Sequence, residues 1–147
     1  MKLGINLIPK TAWFKNLRSE FPKKTWDALR KDCYQKADYI CEICGGKGKD
    51  WPVECHEIWD FNKPGIQKLV RLIALCPLCH QCQHPGLAQI RGQFESCIQH
   101  YMKVNKVSRE KAEQDFNAAF KEWRERNKIQ WKLDISVLTN PSEVVTK

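Results

Sequence analysis

The sequence predicts an α+β fold in which a zinc-stabilised core of two strands and a helix carries further helices at both ends. Two Cys-x-x-Cys motifs, Cys41/Cys44 and Cys76/Cys79, lie about thirty residues apart. Two runs of β-forming residues lie between them, and apolar residues at helical spacing lie on either side. Because 147 residues is the size of one domain, we predict a single domain, 1–147, with its core at 41–84.

Residues 1–40 are predicted to be mainly helical. Four apolar residues at roughly helical spacing predict a short first helix that packs on the core: Trp13, Phe14, Leu17 and Phe21. A second helix is predicted from Thr25, as its N-cap, to about Ala37, because apolar residues from Trp26 onward recur at helical spacing. Cys33 falls on this stripe and is expected to be a small core residue.

The core is predicted to be a strand, a turn, a second strand and a helix. VECHEIWDF (53–61) and QKLVRLIALC (67–76) are rich in β-forming residues, and the Pro64-Gly65 turn signal separates them. Cys55, on the first strand, is expected to be a buried thiol. The second Cys-x-x-Cys motif then leads into a helix that carries His80 and His84.

Residues 85–147 are predicted to form two helices and a short extended tail. One apolar stripe runs from Leu87 to Tyr101, and another begins after Ser108 as N-cap and reaches Trp123. His100 lies off the first stripe and is predicted to be a surface residue. The tail from Gln130 is predicted to form a strand or an extended edge.

The net charge of +8 is placed on the flanks of the core. Residues 1–40 carry nine Lys/Arg and four Asp/Glu, residues 41–84 carry five of each, and residues 85–147 carry eleven and eight. Basic flanks around a neutral core are typical of nucleic-acid binding, and they also serve solubility. In the first flank, four residues are the expected phosphate contacts: Lys15, Arg18, Lys23 and Lys24.

The eight cysteines favour metal binding over disulfides. Disulfides need an oxidising compartment, and the start of the chain, MKLGINLIPK, has too short an apolar stretch for a signal peptide. No apolar run approaches the ~20 residues that span a bilayer. We therefore expect a soluble, cytoplasmic protein without a membrane partner, in which cysteines bind zinc.

Two ligand sets follow from spacing. Two Cys-x-x-Cys pairs form a closed all-thiolate shell, so Cys41, Cys44, Cys76 and Cys79 are predicted to bind a structural Zn²⁺. Cys82 also lies three residues after Cys79, so a Cys79/Cys82 pair is the alternative register.

His80 and His84, at i and i+4, share a helical face, and His56 lies on the preceding strand. These three histidines are predicted to hold a second divalent ion and leave positions open, although paired histidines on a helix also occur as a polar surface patch.

Residues 41–84 resemble the zinc-stabilised branch of the HNH, or ββα-metal, nucleases. LCPLCHQCQH (75–84) matches the family's Leu-Cys-x-x-Cys-His-x-x-x-His ending, and His56 matches its strand ligand. PKTAWFKNLR, VECHEIWDF and the helical tail also look like small bacterial and phage HNH proteins. The resemblance implies a ββα-metal fold, a structural zinc, a second ion (Mg²⁺, Mn²⁺ or Zn²⁺) and hydrolysis of phosphodiester bonds, with double-stranded DNA as the partner.

Two positions depart from the family pattern. Glu57 stands where the family has its general-base histidine, and Arg71 stands where an asparagine is usual. We predict Glu57 and His56 as catalytic residues, with Asp60 as a second acidic candidate because it shares a strand face with His56. Arg71 is predicted to contact nucleic acid. The alternative role for Glu57 is a surface salt bridge.

These departures keep other functions open. An HNH-fold zinc module that has lost its base would bind nucleic acid or a protein partner without cleavage. A zinc-stabilised adaptor would instead expose an aromatic face of the last helix, formed by Phe116, Phe120 and Trp123, whereas burial of that face would indicate core packing.

Overall fold

The computed structural model describes residues 2–62 and 64–138; Lys63, in the predicted turn, and the tail beyond Leu138 lie outside the described residues. The predicted mixture of helices and strands is confirmed. The elements in chain order are α1 (Leu17–Glu20), α2 (Lys23–Lys36), β1 (Glu54–Asn62), β2 (Ile66–Leu75), α3 (Pro77–Gln83), α4 (Pro85–Ile90), α5 (Phe94–Asn105), α6 (Arg109–Arg126) and β3 (Lys132–Asp134), with 3₁₀ turns at Lys10–Ala12 and Ser136–Leu138. Within this part of the chain, every helix is too short or too polar to span a membrane.

The three strands form one sheet in the order β1-β2-β3. β1 and β2 pair antiparallel with His56 opposite Ile73, and β3 pairs parallel with the start of β2. The register shifts where Ile58 pairs with Arg71 but Trp59 pairs with Leu69, so Val70 is an extra residue on β2. β1 itself keeps its alternation and forms an edge of the sheet, which leaves its outer side open.

Two apolar clusters hold the elements together. The larger one joins the cysteine motifs and β2 to α5 and α6, with Ile73, Ile98 and Phe116 at its centre. The smaller one joins α2 to the sheet through residues that include Trp26 and Trp59. Phe116 is only 2% exposed and packs edge-on against Phe94 and Tyr101. This burial argues against the adaptor hypothesis, because the centre of its proposed face is core.

Two helical predictions near the N-terminus need correction. α2 begins at Lys23 after Pro22, whose carbonyl accepts from the Trp26 amide, so Thr25 lies inside the first turn and is not the N-cap. The expected helix through Trp13 and Phe21 is a 3₁₀ turn followed by the single turn α1, which Asn16 caps. Trp13 and Phe14 are consequently exposed and do not pack on the core.

The apolar stripe after Pro85 also divides in two. Gly92 has φ +69°, a conformation that a helix interior does not allow, and it separates α4 from α5. Ile98 and Tyr101 of α5 are buried, whereas Leu87 and Ile90 of α4 are exposed. The Ser108 cap of α6 is confirmed, since its hydroxyl accepts from the Lys111 amide.

The N-terminal segment is extended and runs across the molecule. Asn105 of α5 bonds both the amide and the carbonyl of Leu3, and Gln83 donates to the carbonyl of Gly4. Farther along, the Trp123 indole N–H of α6 donates to the carbonyl of Ile8. These bonds hold residues 3–8 between the helices and the open edge of β1.

Candidate metal centres and the adjoining cleft

The four predicted zinc ligands lie together. One sulfur from each of four cysteines falls in a group whose members are all within 4.8 Å of one another: Cys41, Cys44, Cys76 and Cys79. The sulfurs of Cys44 and Cys76 are 3.6 Å apart. A Zn–S bond of ~2.3 Å places the sulfurs of a tetrahedral site about 3.8 Å apart, so the group has the dimensions of a zinc site.

Local backbone geometry positions the two cysteine pairs. Gly45 has φ +76°, which lets the chain reverse after Cys44, and its amide donates to the carbonyl of Cys41. In the second pair Cys76 is the N-cap of α3, and its sulfur accepts from the amide of Cys79. Both turns aim backbone N–H groups at the sulfurs, which stabilises thiolates.

The first cysteine pair is fastened to the sheet by Glu42. Its carboxylate accepts from the Ala74 amide at 2.7 Å and from the Arg71 guanidinium at 2.7 Å, while its own amide donates to the Ala74 carbonyl. The knuckle is thereby attached to β2 close to Cys76. Arg71, which is predicted to contact nucleic acid, forms this ion pair with Glu42.

The remaining cysteines do not join the cluster. All eight lie in the described part of the chain and are free thiols. Cys82 is buried and its sulfur donates to the carbonyl of Cys97, so the structure favours the Cys76/Cys79 register. Cys33 is buried as predicted, and Cys55 is only partly buried.

The prediction that His100 is a surface residue is wrong. Its Nε2 lies 3.1 Å from the sulfur of Cys79, so it is a neighbour of the metal ligands and not a free surface residue. When Cys79 is a thiolate, the imidazole N–H is the donor. Burial lowers the pKa of His100, which keeps the ring neutral. No motif links the two residues, which are 21 positions apart.

The three predicted histidine ligands also meet. His56 of β1, His80 of α3 and His84, which lies between α3 and α4, have ring centroids 5.0–5.5 Å apart. The Nε2 atoms of His80 and His84 are 3.2 Å apart. Zn–N bonds of ~2.0–2.1 Å separate neighbouring ligand nitrogens by about 3.3 Å in a tetrahedral site, so this spacing is that of metal ligands.

Burial keeps two of these imidazoles neutral, which is the form that binds metal. His56 is 4% exposed, and burial lowers its pKa to about 2. Burial likewise lowers the pKa of His84 to about 4. Nε2 of His56 is buried without a hydrogen-bond partner among the described residues. A buried, unsatisfied imidazole nitrogen facing two other imidazoles fits a cation-binding site.

Glu54 completes this cluster, and the sequence analysis did not identify it. Its carboxylate accepts from Nδ1 of His80 at 2.8 Å and from the Trp51 indole at 3.0 Å, and the hydrogen bond from His80 lowers its pKa. A carboxylate on the far nitrogen fixes the tautomer of a ligating histidine and leaves Nε2 free for metal. Strand alternation offered a signal, because Glu54 and His56 share a face of β1.

A cleft of about 870 Å³ opens beside the histidines, along the free edge of β1. His56, His80 and His84 line it, together with parts of the N-terminal segment, α4 and α6. Glu57 lines it as well. His56 and Glu57 point to opposite faces of β1, and both reach the cleft because no other strand in the described part of the chain pairs with the outer side of β1.

Glu57 is not a surface salt-bridge residue. Its carboxylate accepts from the amide of Leu17, the first residue of α1, at 2.8 Å. Burial raises its pKa above the ordinary carboxyl value. The side chain therefore combines a structural bond to α1 with a position on the cleft.

The other predicted site residues divide between the cleft and the rest of the surface. Lys15 and Arg18 line the cleft, and the ammonium of Lys15 donates to the carbonyl of Trp131. Asp60 is exposed, accepts from Asn62, and is not among the described residues that line the cleft. Lys23 and Lys24, the first residues of α2, are also exposed and are not among the described residues that line the cleft. Lys23 is paired with Asp27.

The two ligand groups suit different tasks. Four thiolates close the coordination shell of an ion, whereas three imidazoles beside a cleft leave coordination positions accessible to small ligands. The first group therefore suits a structural metal, and the second has the composition of an open site. Comparison of the chain with models of protein families, with curated proteins and with solved structures finds no match.

Proposed function

We propose that this protein is a metal-dependent endonuclease of the HNH type that hydrolyses phosphodiester bonds in DNA. The observation that carries the proposal is the histidine cluster of His56, His80 and His84, which lies beside a cleft with basic residues on its wall. Phosphodiester hydrolysis needs a cation at the reacting phosphate and positive charge around it. In the proposed enzyme the histidines would hold the cation, and the basic residues of the cleft would supply the surrounding positive charge.

The order of elements supports the same proposal. β1 and β2 form an antiparallel hairpin that leads directly into α3, and the histidines come from the first strand and the helix. This order resembles the ββα-metal fold implied by LCPLCHQCQH. A structural zinc on the four cysteines would hold the start of α3 against the Cys41/Cys44 turn. This contact would keep His80 and His84 facing β1.

His56, His80 and His84 would hold the second ion, and Glu54 would orient His80 toward it. The fit rests on the unsatisfied Nε2 of His56 and the 3.2 Å spacing of the other two Nε2 atoms. When bound there, a divalent ion supplies charge stabilisation to the phosphate as the phosphodiester bond breaks. Lys15 and Arg18 contribute further positive charge on the wall of the cleft.

Glu57 is the proposed general base, which takes a proton from the water that attacks phosphorus. It is the one acidic side chain among the described residues that line the cleft. General-base catalysis contributes roughly 10²- to 10⁴-fold to a rate. The amide of Leu17 and the side chain of Trp59 both hydrogen-bond this carboxylate, which fixes its orientation in the cleft.

Nicking of supercoiled plasmid with Mg²⁺, Mn²⁺ or Zn²⁺ tests the proposal. Wild type is expected to nick with at least one ion, and His80→Ala/His84→Ala is expected to be inactive. Glu57→Gln is the sharper variant, because the amide oxygen still accepts from Leu17 but cannot take a proton. We expect it to fold normally and to lose at least about 100-fold in rate. Absence of nicking by wild type with all three ions, where DNA is bound, contradicts the proposal.

A second candidate function is a zinc module that binds DNA without cutting it. The bond between Glu57 and the Leu17 amide favours this candidate, because holding α1 is by itself a structural reason for a carboxylate at this position. Such a module binds through its basic surface, and its affinity falls steeply as salt is raised. DNA binding that weakens with salt, together with inactivity of wild type in the plasmid assay, would support it. An affinity unchanged by salt would exclude it.

A further inference from the structure

The cleft has an apolar, aromatic wall that metal binding does not explain. Four of the six tryptophans line it: Trp13, Trp26, Trp59 and Trp123. Trp26 and Trp59 belong to the core, but Trp13 is 57% exposed. On α4, Leu87 and Ile90 line the same cleft, and Ile90 is 84% exposed. Large contiguous exposed apolar patches often mark sites that bind a partner or a ligand.

The ring of Trp123 is held in place before any ligand arrives. Its indole N–H already donates to the carbonyl of Ile8, so the ring offers a ligand mainly its π surface. Nζ of Lys10 lies 5.4 Å from the centroid of the same ring. The Arg18 guanidinium likewise lies 5.9 Å from the Trp26 centroid. Two aromatic rings of this wall therefore each have a cation beside them.

The charge of the cleft selects an anionic ligand. Three of its described lining residues are cationic, Lys10, Lys15 and Arg18, whereas Glu57 is acidic and already bonded by the Leu17 amide. The ligand must therefore combine negative charge with flat apolar groups. A nucleotide strand has this combination only where its bases are unpaired, because in a duplex the base faces are stacked on one another.

The size of the cleft agrees with this choice. Pockets of about 300–1,000 Å³ enclose ligands of small-molecule size, and the cleft measures about 870 Å³. One or a few nucleotides fit such a volume, whereas the cross-section of a double helix does not. We propose that the cleft binds unpaired DNA, with bases against Trp13 and the adjoining aromatic wall and phosphates toward Lys10, Lys15, Arg18 and the histidines. This inference builds on the proposed nuclease and names the form of DNA that it takes, in place of intact duplex.

The test compares the binding of two DNA probes by fluorescence anisotropy, without added Mg²⁺ or Mn²⁺. One probe is a labelled single strand of about 16 nucleotides, within the range of single-strand binding sites, and the other is the same strand annealed to its complement. We expect wild type to bind the single strand more tightly. Trp13→Ala is expected to weaken that binding roughly 5- to 100-fold, the effect of losing one base-stacking aromatic.

Phe14→Ala is the matched control. Phe14 is the next residue, is 84% exposed and does not line the cleft among the described residues. Its removal is expected to leave single-strand affinity within twofold of wild type. Ile90→Glu is a second variant on an exposed position of α4, where a new carboxylate should also weaken binding. Equal loss in Trp13→Ala and Phe14→Ala, or a duplex bound as tightly as the single strand, overturns the inference.

Plasmid nicking on the same samples separates this inference from the proposed function. Nicking by a wild type that prefers duplex preserves the nuclease and overturns the single-strand cleft. Trp13-dependent binding of the single strand, with neither plasmid nicking nor cleavage of that strand after Mg²⁺, Mn²⁺ or Zn²⁺ is added, preserves the cleft and contradicts the nuclease. If Trp13→Ala and Ile90→Glu change the oligomeric state and leave DNA affinity unchanged, the apolar wall is an interface between copies and the inference is wrong.

Discussion

His100 should tune the zinc affinity of the four-cysteine site. Its Nε2 lies 3.1 Å from the sulfur of Cys79, and burial keeps the ring neutral, so the bond joins a neutral donor to a thiolate. A hydrogen bond to a charged group is worth about 1.5–3 kcal/mol. Because His100 is only partly buried, we expect about 1–2 kcal/mol, which is a roughly 5- to 30-fold change in affinity. Loss of groups that bond a metal ligand typically costs about 10- to 100-fold, which overlaps this range.

The assay is competition for zinc between the protein and a coloured chelator, with His100→Ala compared with wild type. Gln99→Ala is the control, since Gln99 is the neighbouring residue and its side chain bonds the exposed Glu95. His100→Gln retains an N–H donor and should recover part of the affinity. Urea unfolding of the zinc-loaded proteins should show a matching loss of about 1–2 kcal/mol. Zinc affinity of His100→Ala within twofold of wild type would show that the bond from His100 to Cys79 does not support zinc binding.

Three further outcomes are expected. Cys44→Ser should lose the structural zinc and unfold the core. Zinc binding at such sites contributes about 10–16 kcal/mol, which is as much as the whole stability of a domain. Elemental analysis should show that the control Cys82→Ser keeps normal zinc content. Glu54→Gln should lower the affinity for the second ion about 10- to 100-fold in a chelator titration, because it removes the carboxylate that orients His80. The affinity for the structural zinc should not change. An equal loss of affinity for both ions would contradict this prediction. Phe116→Ala should lower the free energy of unfolding, measured in urea, by about 3–5 kcal/mol, because it leaves a cavity in the core between α5 and α6. A loss below about 1 kcal/mol would show that this packing is dispensable.

Local patterns predicted much of the fold because they act over a few residues. Both core strands lie within one residue of their predicted bounds, since β-forming residues and the Pro64-Gly65 turn signal delimit them. The cysteine ligands followed from spacing, and Ser108 from its place before an apolar stripe. Boundaries failed where a stronger local effect competed, as at Pro22, which starts α2 ahead of Thr25.

The parts that could not be predicted depend on contacts between distant residues. Glu57 bonds Leu17 across 40 positions, and His100 reaches Cys79 across 21. Neither contact leaves a periodic or spaced trace in the sequence. The cleft is a further example, because it depends on where the N-terminal segment crosses the open edge of β1. Glu54 is different, because it shares a face of β1 with His56 and this alternation can be seen in the sequence.

The histidine cluster is proposed to be a metal site at which phosphodiester hydrolysis takes place. The most direct measurement is elemental analysis of zinc in wild type and in His80→Ala/His84→Ala, with plasmid nicking measured on the same samples. The two ligand groups predict two ions per chain in wild type, one ion in the variant, and nicking by wild type alone. One ion in both proteins, with no nicking by either, would contradict the claim and identify a zinc-stabilised binding module.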